Sequence, residues 1–301
     1  MTQLRQDLRH WLSAPDPSIN HNIARAVHHE GTATWFFQGD IFLEWKSNPS
    51  LLWIYGKRGF LFPIGFHPTD PCLYSGIGKE RALVCGPLLL LSQSAKIQAS
   101  SSIIEDIMDL HDAGSALVAY FYCDFRDKNK RSRRTLLLSI LSQLSSQSTF
   151  CSGTLSQLFS THDGGSRKPS DRALMHCLKE MLSLPGQSPI YLIIDALDEC
   201  PDNSGMPTAR EEVLELVKDL ADVHNSNLHV CVTSRPEIDI QTTLGPLTTS
   251  LRMSLHDQIG QKEDIDRYVR SVVYSDSKMR RWRKEDKILV IETLAEKADG
   301  M

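Results

Sequence analysis

Tyr191-Leu192-Ile193-Ile194-Asp195-Ala196-Leu197-Asp198-Glu199 is the stretch on which the reading of this chain turns. A strand buried on both faces reads as an unbroken apolar run, and such strands belong to parallel sheets covered by helices. Here the run climbs directly into a carboxylate, and two more carboxylates follow three and four residues on. Open α/β sheets bind ligands at the carboxyl ends of their strands, which is where Asp195 would sit. One carboxylate there can hold Mg²⁺, and Asp198 or Glu199 can orient an attacking water, the arrangement of a nucleoside-triphosphate site. An ordinary buried strand ending in a solvated acidic turn has the same outline.

Working outward, the same kind of run recurs at Leu51 to Tyr55, Ala116 to Tyr122 and Leu228 to Val232, with Leu251 to Leu255 as the last candidate strand. Helical spacing marks residues 4 to 30 (broken by Pro15 and Pro17), 101 to 111, 135 to 144, 173 to 182 and 211 to 223, and the charged tail from Gln261. The Ser- and Gly-rich stretch after Leu144, which includes Gly164-Gly165-Ser166, reads as a loop. Alternating strands and helices imply an α/β fold, a doubly wound parallel sheet with helices on both faces. In such a sheet Thr233-Ser234-Arg235 ends a strand beside the one bearing Asp195, and Arg235 can present a planar, permanently charged fork to a γ-phosphate. A turn-capping Arg before Pro236 is the plainer alternative.

Composition narrows the class. The 301 residues are 41% apolar and 23% charged, enough for a real core, and the net charge of −4 disfavours a dedicated nucleic-acid binder. The longest apolar block, residues 82 to 91, is about half of a membrane span. Seven cysteines without a C-x-x-C pair fit reduced thiols in a cytoplasmic protein better than a disulfide framework or a zinc site. The basic run Arg126, Lys128, Lys130, Arg131, Arg133 and Arg134 reads as a solvated face, or else as a contact for nucleic acid or an acidic partner.

A phosphate cradle of the form G-x-x-x-x-G-K-[ST] is expected after the first strand, because its glycines bring backbone N–H groups close to phosphate. Gly56-Lys57-Arg58-Gly59 begins it, but Leu61, Phe62 and Pro63 occupy the G-K-[ST] positions. Gly76-Ile77-Gly78-Lys79-Glu80 and Ser94-Ala95-Lys96-Ile97 are the nearest substitutes.

Taken with Ile103-Ile104-Glu105-Asp106-Ile107, these motifs resemble the NACHT-type P-loop NTPases, and more narrowly the nephrocystin-like NACHT modules of fungal NLR-like STAND proteins. The resemblance extends over most of residues 20 to 301. It takes in Gly31-Thr32 with Trp35, Phe42 with Trp45, Asp124-Phe125-Arg126-Asp127, Ser254-Leu255-His256-Asp257 and the tail Glu292 to Met301. It implies an ATP- or GTP-driven signalling switch with Mg²⁺, in which the Arg235 strand lies between the first strand and the Asp195 strand. On that basis Gly56, Lys57, Gly59 and Lys96 are the nucleotide-binding residues, and Asp195 is the metal ligand. Asp198, Glu199 and Arg235 are the catalytic set. Lys96 takes the lysine position by counting back from Ile103, which leaves Ile97 in place of the hydroxyl.

The expected organisation is a helical segment over 1–50, a nucleotide-binding core over 51–256 and the start of a helical lid over 257–301. Residues 60–94 form an atypical insert, a retained intron or degenerate insertion. Relatives continue beyond this point, so the resemblance implies a truncated module, with effector and repeat regions supplying protein partners and a homo-oligomer in a full-length form. Membrane and nucleic-acid partners are not expected. The alternatives are a pseudo-NTPase scaffold for protein contacts and a gene-model fragment without function.

Replacing residues 60–97 by Cys-Gly-Lys-Ser restores the cradle. Fluorescent ATP or GTP analogues with Mg²⁺ should bind the repaired chain and bind the parent weakly or not at all. Equal binding by both would show that Lys79 or Lys96 already serves.

Overall fold

A computed structural model of the chain describes residues 2–26, 34–56, 100–202, 207–223, 227–247 and 250–255, and in the C-terminal region 266–267, 270–271, 273–275 and 279–297. Lys57, Gly59, Lys79, Lys96 and the 60–94 segment lie outside the described residues, as does His256-Asp257.

Helices α1 (Thr2–Leu12), α2 (Ser18–Ala26), α3 (Thr34–Phe37) and α4 (Asp40–Ser47) precede strand β1 (Leu51–Tyr55). Residues 100–112 are helical and are termed α5; β2 (Leu117–Tyr122) follows. Three helices, α6 (Arg133–Gln147), α7 (Thr149–Thr161) and α8 (Asp171–Leu182), lead to β3 (Ile190–Asp195). Next come α9 (Ala209–Ala221), β4 (Leu228–Ser234), α10 (Ile238–Leu244), β5 (Ser250–Ser254) and α11 (Lys284–Lys297).

The strands form one five-stranded sheet in the order β2-β3-β4-β1-β5, with every neighbouring pair parallel. The fold expectation is met, including the Arg235-bearing strand between β1 and β3. Residues alternate across a strand, so β1 to β4 each feed two cores. On one face Leu51, Trp53, Leu192, Ile194, Val230 and Val232 pack with Leu8 and Trp11 of α1 and with residues of α6 to α10. On the other, Leu52, Ile54, Tyr191, Ile193 and Cys231 pack with Phe42 and Trp45 of α4 and Ile103, Ile104 and Ile107 of α5. Trp45 is fully buried, and its indole N–H donates to the Val230 carbonyl at 3.0 Å. Burial holds the neighbouring His229 below its ordinary titration range, while the Trp45 carbonyl sits 2.7 Å from its Nδ1.

One reading is corrected. The stretch after Leu144 continues as helix and then holds a second one, α7, where a loop was expected. Serine and glycine lower helix propensity, but Ser148 caps α7 by accepting from the Cys151 amide, and Cys151 and Leu155 bury one face of it. Packing overrides composition here, as it does for most short helices. The Gly164-Gly165 turn follows α7; Gly165 has φ +88°, and a Cβ there would lie 2.3 Å from the Phe159 ring.

β2 is an edge strand, and its outward backbone groups are met by two glutamines of α6. Gln147 accepts from the Val118 amide at 2.9 Å and donates to its carbonyl at 2.6 Å. Gln143 does the same for Tyr120 at 3.1 and 2.8 Å. The side-chain amides stand in for a further strand and block edge pairing. The double variant Gln143→Ala/Gln147→Ala should lose roughly 0.5–1.5 kcal/mol per hydrogen bond removed. Hydrogen exchange should accelerate at the Val118 and Tyr120 amides first. Unchanged protection there would show that the glutamines do not close the edge.

Candidate functional site

An all-parallel sheet puts the carboxyl ends of its strands on one edge, and here the tips are bonded to one another. Gly56 donates its amide to the Ser234 carbonyl, Leu255 to Tyr55, and Cys123 to Asp195. At the centre is Asp195, only 2% exposed. Its Oδ1 accepts from two hydroxyls, Ser100 at the start of α5 and Thr233 near the end of β4. Two strands and one helix therefore converge on one carboxylate. Thr233 Oγ1 also accepts from the Ala196 amide at 3.0 Å.

Ala196 has φ 55° and ψ 47°, left-handed backbone that costs a non-glycine residue about 1–2 kcal/mol. The bend lets the chain leave β3 sharply and form the 3₁₀ turn Leu197–Glu199, closed by the Glu199 amide on the Ala196 carbonyl at 2.8 Å. Strain of this kind is kept only where neighbours enforce it; the Thr233 hydroxyl is one such neighbour.

The turn gives its two carboxylates different partners. Asp198 is engaged with Arg235: its Oδ1 accepts from the Arg235 amide at 2.8 Å, and its Oδ2 lies 3.1 Å from the guanidinium Nε. Glu199 accepts from the Phe125 amide at 3.3 Å. Burial pushes the Glu199 carboxyl up to about 7, the Phe125 bond opposing and the charges of Asp124, Asp198 and Asp195 adding to the rise. A carboxyl poised near neutrality is suited to accept a proton from water. Asp124 is held below the ordinary carboxylate range by its bonds from Arg126, at 2.9 and 3.0 Å.

The site residues thus fall into two groups. Asp195, Asp198, Glu199 and Arg235 meet at one edge, with Gly56 bonded to the same edge. Lys57, Gly59 and Lys96 lie outside the described residues. Sequence reasoning missed Ser100 and singled out Arg235 alone from Thr233-Ser234-Arg235. The one available signal for Ser100 was the Ser100-Ser101-Ser102 run at the start of a helix. Hydroxyls and one carboxylate are hard oxygen donors. Mg²⁺ is commonly held by one or two carboxylates, water and substrate phosphates, so this donor set fits it.

The basic run is largely consumed internally. Lys130 is buried and donates to Asn20 at 2.8 Å, and Arg131 donates to the Phe125 carbonyl. Arg133 faces Glu215 and Asp219, and Arg134 pairs with Asp171. Cys200 is a buried thiol with its sulfur 3.5 Å from that of Cys123; this contact, followed by burial, raises the Cys123 thiol well above its ordinary range. Among the described residues no helix is long and apolar enough to cross a membrane.

Residues 93–235 match the family Nephrocystin 3, N-terminal, a match that ends on Arg235 itself. No curated protein matches the chain. Among solved structures the chain aligns with Drosophila ORC bound to poly(dA/dT) DNA and Cdc6, at 12% identity and a TM-score of 0.36, over 97% of this chain and 42% of that one. The chain spans less than half the length of the chain it aligns with there.

The raised Glu199 carboxyl has a stability consequence. Between its ordinary value of 4.5 and about 7, the folded protein keeps a proton that the unfolded chain has released. Glu199 therefore makes stability fall as pH rises through that window. Glu199→Gln should become progressively more stable relative to the parent from pH 5 to pH 7, with the difference levelling off by pH 8. Urea melts at each pH read this directly, and a pH-independent difference would contradict it.

Proposed function

Residues 93–235 being of the nephrocystin-3 N-terminal kind, within a sheet of P-loop NTPase strand order, we propose that this chain is a NACHT-like nucleotide switch module. It would bind a nucleoside triphosphate, ATP or GTP, with Mg²⁺ at the carboxyl edge of the sheet. The observation that carries this reading is the Asp195 carboxylate, buried at a strand tip and bonded to hydroxyls from α5 and β4.

Asp195 and Ser100 are the residues that would hold Mg²⁺, with Thr233 keeping the carboxylate in place. When bound, the ion neutralises charge developing on the phosphates. Glu199 accepts the proton of the attacking water, its carboxyl being already near neutrality. Asp198 holds Arg235 at the adjacent strand tip, from which the guanidinium reaches the terminal phosphate. Lys96, with Gly56, Lys57 and Gly59, is proposed for the phosphate grip. The sequence at Leu61, Phe62 and Pro63 lacks the lysine and hydroxyl of that grip, which favours weakened affinity. It also favours a second reading, a scaffold that keeps the fold and binds protein partners without turnover. Signalling in the cytoplasm as part of a larger, oligomerising protein belongs to the same proposal and rests on the family resemblance.

Titration with fluorescent ATP and GTP analogues, with and without Mg²⁺, tests the reading on the parent and on the chain repaired at 60–97. Binding should depend on Mg²⁺, and Asp195→Asn should weaken it at least about tenfold. Arg235→Ala should leave binding largely intact and slow hydrolysis by on the order of a hundredfold. Metal-independent binding indifferent to Asp195→Asn, or none by either chain at millimolar nucleotide, would overturn it. Binding without hydrolysis would select the scaffold.

A further inference from the structure

Arg210, in the first turn of α9, has no counterpart among the motifs read from the sequence, yet it is only 5% exposed. Its Nε donates to the Cys200 carbonyl at 3.0 Å and its Nη2 to the Asp198 carbonyl at 2.7 Å, so one edge of the guanidinium holds the turn that carries Asp198 and Glu199. Its Nη1 donates to Glu237 at 2.8 Å and Asp239 at 3.3 Å, with Asp202 at 3.5 Å. Glu237 and Asp239 stand where the chain leaves the tip of β4, and the Glu237 amide donates to the Arg235 carbonyl at 2.9 Å. One buried cation thus ties the turn after β3 to the segment after β4.

We propose that Arg210 is a positioning residue that fixes Glu199 and Asp198 relative to Arg235. This rests on the nucleotide reading of the site. The turn leaves a strained Ala196, so its position has to be enforced from outside, and the carbonyls of Asp198 within it and Cys200 just after it accept from the same guanidinium. A planar fork with five donors can meet two carbonyls and two carboxylates at once; a lysine carries the charge but lacks the fork. Arg210 has no contact with Asp195, Ser100 or Thr233 among its bonds above, so its effect falls on the turn rather than on the metal seat.

The test is Arg210→Lys, read first by the titration of Glu199 in the unliganded protein. The side-chain carboxyl carbons of ¹³C-glutamate-labelled protein are followed by NMR, and the Glu199 signal is assigned by its disappearance in Glu199→Gln. In the parent this carboxyl should titrate near 7. In Arg210→Lys it should move down by about one pH unit or more as the turn loosens and water reaches it. Leu216→Ala, a cavity in the same helix, should leave it in place; Leu216 is fully buried. If Arg210→Lys does not fold, Glu237→Gln removes one anchor of the guanidinium and should move the titration the same way by less.

Hydrolysis and binding give the second readout. Arg210→Lys should lower turnover by on the order of a hundredfold, the cost of misplacing a reacting group by about 1 Å, with nucleotide affinity unchanged. An unmoved Glu199 titration, or an equal movement in Leu216→Ala, would overturn the proposal. A parent and repaired chain that bind no nucleotide would instead overturn the functional reading, while the titration would still decide whether Arg210 places the turn.

Discussion

The structure depends on one carboxylate buried at the meeting point of three elements. Asp195 leaves water because β3 is apolar on both faces and ends there, and such a group is tolerated only if it is hydrogen-bonded. Ser100 from α5 and Thr233 from β4 supply those bonds. Their convergence requires α5 to start at the carboxyl edge, β4 to lie next to β3 and all strands to run in parallel. The sheet order and the site are thus one constraint seen twice.

Around that centre, charge is distributed by partner rather than by residue type. Four acids lie close together, and each has a different fate. Asp195 takes hydroxyls, Asp198 takes Arg235, Asp124 takes Arg126, and Glu199, among the described residues, takes a backbone amide. Glu199 is therefore the one whose carboxyl is pushed up to about 7, chiefly by burial. Separation of carboxylates by environment is how one site holds both a charge-bearing ligand and a proton acceptor. The buried Arg210 completes the arrangement by joining the two strand tips on which these groups stand.

What the sequence made legible is what periodicity and strand-tip chemistry carry. The apolar runs at 51–55, 117–122, 190–195 and 228–234 announce buried parallel strands, and Asp195 and Arg235 declare themselves by ending two of them. Residues whose role depends on a distant partner stayed silent. Gln143 and Gln147 look like helix-surface glutamines until β2 lies beside them, and Arg210 looks like an exposed N-terminal-turn arginine until Glu237 and the Asp198 carbonyl surround it. Ser100 sits four positions after Lys96, where counting the family motif put no ligand. Helix α7 was hidden because serine content outweighed its short buried face. Arg133 and Arg134 looked solvated because the acids they meet, Glu215, Asp219 and Asp171, lie far along the chain.

The most direct measurement is a crystal structure of the chain with Mg²⁺ and a non-hydrolysable triphosphate analogue. The account requires the ion beside Asp195 and the Ser100 hydroxyl, with the terminal phosphate between Glu199 and Arg235. Nucleotide bound away from this edge, or a metal held without Asp195, would contradict it.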